Sequence, residues 1–126
     1  MTTEPKLLVN RWKCKDGTIL QSKHRHDYVG HTDINGEFYF VDGGLDYIRH
    51  SGNMEPMCLY SSDNHSLLRD SFCWGTRRSG SVVWLHPSDM DTDHIEAILQ
   101  TQPHISTAVR DMFKNELQYR LDDKKE

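Results

Sequence analysis

Lys23-His24-Arg25-His26-Asp27-Tyr28 brings two imidazoles, a guanidinium group and a carboxylate into six consecutive residues. Such groups can bind a metal, move a proton or hold an anion. Read as β-strand, the segment alternates faces, so His24 and His26 point one way and Arg25 and Asp27 the other. That split weighs against an acid–base pair of His26 and Asp27, because strand neighbours face apart. A metal site would draw on His24 and His26, with His31, Asp27 or Asp42 as further ligands. Yet the chain has no Cys-x-x-Cys pair and no His-Glu-x-x-His helix. A metal-dependent hydrolase around His24, His26 and Asp27 therefore ranks third among the readings, and no metal or other cofactor is expected.

Anion capture fits the residue types better. Arg25, Arg49, Arg77, Arg78 and Arg110 carry planar donor forks that match phosphate oxygens two bonds at a time. Phe72, Trp74 and Tyr47 offer faces on which a base can stack. Arg77-Arg78 falls in a Gly- and Ser-rich stretch, where backbone N–H groups add anion contacts. Cys14, Cys58 and Cys73 have neither a nucleophile elbow nor a cysteine-protease signature around them, and Cys58 and Cys73 lie in apolar runs typical of structural thiols. The chain is thus read as a binding protein and not an enzyme. Its ligand-binding candidates are His24, Arg25, His26, Asp27, Arg49, Phe72, Trp74, Arg77 and Arg110, and its expected ligand is an anionic, nucleotide-like small molecule. A protein-interaction module that inhibits a host protein through acidic helices is the alternative.

The elements that must position these residues follow from periodicity and turn chemistry. Residues 7–13 read as a first strand, Lys15 to Thr18 as a turn, and Ile19 to Val29 as a second strand. Asp33-Ile34-Asn35-Gly36 is a hairpin signal, and the strand Glu37 to Val41 returns to Gly43-Gly44, where the backbone must bend or approach something closely. A brief helix capped by Ser62 or Asp63 runs towards Phe72 and stops at Gly75; Thr76 to Ser81 reads as a polar loop, and Val82 to Leu85 as a strand ended by Pro87. Two helices close the chain. One is capped by Asp91 or Thr92 and carries Ile95, Ile98 and Leu99; the other is capped by Ser106, with Val109, Met112, Phe113 and Leu117 as its apolar stripe. The prediction is a single α+β domain over residues 1–120, an N-terminal antiparallel sheet followed by two C-terminal helices, with residues 121–126 as a solvated tail.

Composition bounds the partners. The 126 residues carry a formal net charge of −4, and residues 91–126 hold −3 of it (eight acids against five bases). Nonspecific nucleic-acid binding, which needs clustered Lys and Arg, is not expected. No run of about 18 apolar residues suggests a membrane span, and the first residues lack the pattern of a signal peptide. Three widely spaced cysteines argue for a reducing compartment, which points to the cytoplasm. An acidic pair of terminal helices also suits a homo-oligomer, in which Arg110 of one copy would approach the sheet of another.

Cys14-Lys-Asp-Gly-Thr-Ile, Lys23-His-Arg-His-Asp-Tyr, Val41-Asp-Gly-Gly-Leu-Asp-Tyr-Ile-Arg49, Phe72-Cys-Trp-Gly-Thr-Arg77, Thr92-Asp-His-Ile-Glu-Ala-Ile98 and Glu116-Leu-Gln-Tyr-Arg120 resemble a family of small tailed-phage proteins over nearly the whole chain. The front half is similar to a degenerate zinc ribbon: only Cys14 remains of the cysteine pairs, and His31 to Gly36 stands where the second pair would be. Size and order of elements are also similar to the Thoeris anti-defence sponges, which sequester a cyclic ADP-ribose-type signal. These resemblances imply a phage accessory protein working in host cytoplasm, with phosphates on Arg25 and Arg110 and a base on Phe72 or Trp74.

Overall fold

The computed structural model describes residues 4–123. The fold is α+β: antiparallel strands dominate the N-terminal part and two helices end the chain. The chain divides into two compact units, Met1–Tyr60 and Ser61–Glu126.

In the first unit, β1 (Leu7–Lys13) pairs antiparallel with β2 (Ile19–Ser22), and its other edge takes the short strands β6 (Glu55–Pro56) and β7 (Leu59–Tyr60). A second sheet orders β3 (Val29–Thr32), β4 (Phe38–Asp42) and β5 (Arg49–His50). The predicted strand from Ile19 to Val29 is therefore two strands, broken by a turn at residues 24–26. Alternation on β3 and β4 turns Val29, Tyr39 and Val41 inward, where they meet Trp12, Cys14 and Leu20 in one core. His50 lies face to face with Trp12, ring centroids 3.7 Å apart. The β3–β4 loop is fixed by Asp33. Its Oδ1 accepts the amides of Asn35 and Glu37, and its Oδ2 accepts the buried Tyr39 hydroxyl at 2.6 Å. Those bonds hold the Asp33 carboxyl below its usual range and push the Tyr39 hydroxyl up. The register Thr32↔Phe38, His31↔Tyr39 settles which aromatic of this strand faces His31: it is Tyr39.

The second unit begins with the short helix α1 (His65–Leu68), capped by Asn64, whose side chain accepts the Ser66 amide, and not by Ser62 or Asp63. Gly75 does not stop this helix, and Thr76 to Ser81 is not a loop. Both belong to a hairpin of β8 (Trp74–Arg78) and β9 (Ser81–Leu85), turned by Ser79 and Gly80 at positive φ. A 3-10 turn at Pro87–Asp89 precedes α2 (Thr92–Thr101) and α3 (Thr107–Asp123). Val109, Met112 and Phe113 of α3 are buried as their spacing predicts, with Ile95 and Ile98 of α2. Glu116 is buried on the same stripe. Residues 121–123 continue α3, exposed, where a tail was expected; 124–126 lie outside the described residues. No helix among the described residues is long and apolar enough to cross a membrane.

Candidate functional site

The 23–28 segment is a turn, so the predicted alternation of His24 and His26 against Arg25 and Asp27 does not apply. The Asp27 amide donates to His24 O (2.9 Å), while its carboxylate accepts the Lys23 amide (2.8 Å). Asp27 is therefore the clasp of the turn. His24, Arg25 and His26 are left exposed at the tip, and Arg25 has no ion-pair partner among the described residues. Buried Ser22 splices this turn to the next loop, since its hydroxyl donates to Asp27 O (2.6 Å) and accepts the Gly44 amide (2.9 Å). Asn10 donates to Asp42 O and Gly44 O from below. Gly44 has φ +55°, and a Cβ there would lie 2.2 Å from the His24 carbonyl carbon. The close approach that Gly43-Gly44 signals is thus to the backbone of the 23–28 turn.

Across the same sheet lies a surface that residue-by-residue reading missed. Alternation turns Tyr28, Gly30, Phe38 and Phe40 outward, opposite the core. The Tyr28 and Phe40 rings are parallel within 8° with centroids 5.4 Å apart, and Phe38 follows at 6.4 Å and 23°. Phe38 and Tyr28 lean over Gly30. A Cβ at Gly30 would lie 3.2 Å from the tip of Phe38 and 3.7 Å from Tyr28, so the glycine is what lets the rings lie down. Tyr28 and Phe38 remain 51% and 49% exposed. Arg49, predicted as a site residue, stands on the adjacent strand with its guanidinium 5.7 Å from the Phe40 ring centre and 3.5 Å from the Asp42 carboxylate. Its side chain is still 62% exposed. A surface of this kind can stack planar rings and hold an anion beside them.

The candidates of the second unit fare differently. Phe72 is 3% exposed and packs edge-on against Phe113, so it offers no face for a base. Trp74 also lies edge-on to Phe113, at 5.5 Å, and is half-buried. Arg110 donates to Leu99 O and Gln102 O, which caps the C-terminus of α2 and uses the donors a phosphate would need. Arg77 is exposed near the tip of the β8–β9 hairpin, beside Arg78. The predicted pairing of Arg110 with Phe72 or Trp74 around a nucleotide is therefore not built: those side chains serve the unit's own packing. Their apolar and cationic types were read correctly, but types alone do not separate a helix cap from an anchor.

Comparison of the chain with protein-family models, curated proteins and solved structures returned no match. The functional reading therefore comes from geometry.

Two further arrangements bear on it. Among the described residues, no group of three or more His, Cys, Asp or Glu is placed to hold a metal ion; His31 instead meets Asp16 at 2.8 Å, and its hydrogen bond brings the Asp16 carboxyl down to about 2. In the second unit, Glu116 is fully buried and accepts from Arg69 through two bonds (2.7 and 2.9 Å), from Arg120 (2.8 Å) and from His65 (2.9 Å). Burial alone would raise its carboxyl, but these bonds and the Arg69 charge outweigh burial and lower it to about 2. Arg120 also donates to Pro87 O, Met90 O and Thr92 Oγ1, tying α3 to the start of α2. The Glu116 carboxylate is fully bonded, with the buried His65 Nδ1 left without a hydrogen-bond partner among the described residues, and the cluster reads as a structural lock.

Proposed function

We propose that the chain is a non-enzymatic binding protein that sequesters an anionic, ring-bearing small molecule of nucleotide type on the outer face of β3, β4 and β5. The observation that carries this reading is the ladder of near-parallel rings of Tyr28, Phe40 and Phe38, half-exposed at Tyr28 and Phe38, with Arg49 over its partly buried middle member. A sheet stabilises itself with buried pairs, and two large rings turned to solvent on either side of a third invite a planar partner. Arg49 would take phosphate, and Arg25, exposed three residues before Tyr28, would add a second fork. Sequestration as a phage accessory protein in host cytoplasm is the setting that the sequence resemblances suggest.

Thermal melts with AMP, ADP-ribose, cyclic ADP-ribose and cyclic di-AMP test it, because a ligand bound to the native state raises the midpoint. Stabilisation by at least one of them, reduced in Phe40→Ala and in Arg49→Gln, is the expected result. Flat melts across the panel at millimolar ligand would remove the reading.

A further inference from the structure

From the same face we infer that the ligand carries two bases joined through phosphate, a dinucleotide rather than a mononucleotide; the inference rests on the nucleotide reading above. The register places Phe40 opposite Gly30 and Phe38 opposite Thr32, while Tyr28 lies one step beyond Val29, level with Asp42. Phe40 therefore sits between Tyr28 and Phe38, within 5.4 Å of one ring centre and 6.4 Å of the other. The two flanking rings are the exposed ones, and the middle ring already has the Arg49 guanidinium over it. The order along the face is ring, cation, ring. A dinucleotide has the matching order of base, phosphate, base. One base with its phosphate would satisfy Arg49 and a single ring, leaving the other ring half in water.

Charge sets the upper limit. Arg49 shares its guanidinium with Asp42, and Arg25 is the other exposed arginine among the described residues of the first unit. Two forks suit a ligand with one or two phosphate charges, whereas a long strand needs a line of cations that an acidic chain does not provide. The face thus selects for two stacked units and against many.

Calorimetric titration of the full chain with 5′-AMP, the dinucleoside monophosphate ApA, cyclic di-AMP and an eight-residue oligoadenylate tests this. ApA or cyclic di-AMP should bind at least about ten-fold tighter than AMP, since each stacked base adds roughly that factor or more. Tyr28→Ala and Phe38→Ala should each erase the ten-fold advantage, bringing both dinucleotides down to the affinity of AMP. Arg49→Gln should weaken every ligand. Melts of each unliganded variant within a few degrees of the parent establish that the fold is kept. Equal affinity for AMP and both dinucleotides overturns the two-base inference and leaves the nucleotide reading standing. So does an octamer bound ten-fold tighter than either dinucleotide. No binding of any of the four overturns both.

Discussion

At the scale of single residues, two glycines and one glutamate have the sharpest consequences. Gly44 combines φ +55° with backbone atoms of His24 where a Cβ would go, so relaxation by a side chain is not available. Gly44→Ala should therefore destabilise the protein by more than the roughly 1–2 kcal/mol of a left-handed residue alone, and chemical denaturation checks it. Gly36, at φ +82° with open space around it, should cost no more than that range on the same change. Glu116→Gln leaves Arg69 and Arg120, each with a side chain 20% exposed, against a neutral partner, and the expected loss is about 3 kcal/mol, read from the same denaturation curves. The acid behaviour follows with a definite sign. A carboxyl whose pKa falls from 4.5 unfolded to about 2 folded stabilises fully above 4.5 and loses that contribution as pH drops towards 2. Melts between pH 2 and 6 should steepen in that window for the parent and flatten for Glu116→Gln.

At the scale of elements, the hairpin β3–β4 holds the proposed binding face because Asp33 fixes its loop and Gly30 clears its outer surface. Gly30→Val would push the Phe38 and Tyr28 rings up from the sheet. Since those rings are free to move into solvent, stability should change by less than about 1 kcal/mol while ligand affinity falls at least several-fold; paired melts and titrations separate the two effects. Much of this hairpin was legible in the sequence. Asp33 to Gly36 announced the loop, and inward Tyr39 and Val41 follow from alternation once the register is known. The outward trio was not legible, because a one-residue shift in loop length exchanges the two faces of β4. The 23–28 turn was missed for a different reason. Its clasp is the Asp27 carboxylate on a backbone amide four residues earlier, and an Asp with that role is indistinguishable by type from one on a strand. Likewise Thr76 to Ser81 carries loop composition, but Ser79 and Gly80 spend it on a two-residue turn.

At the scale of the molecule, the two units divide the work. The aromatic face belongs to the first and the Glu116 lock to the second. Glu116→Gln should therefore lower stability while leaving affinity for an adenine nucleotide within about two-fold, measured well below the melting point. The α+β class and the two terminal helices were readable from periodicity, since helical stripes report burial directly. The sequence suggests a site split among residues of both halves, whereas the site proposed above is contained in a single sheet. Arginine and aromatic types recur in both units, and only contacts distinguish those that are committed from those that are free.

Ser22 gives the proposed binding face one more property. Its single hydroxyl bonds both the turn that displays Arg25 and the loop between β4 and β5, from which Arg49 emerges. Two guanidinium groups from distant points of the chain are thereby mounted on one frame before any ligand arrives. Little loop entropy would remain to be lost if the proposed ligand bound, so few contacts would suffice to hold a small anion there.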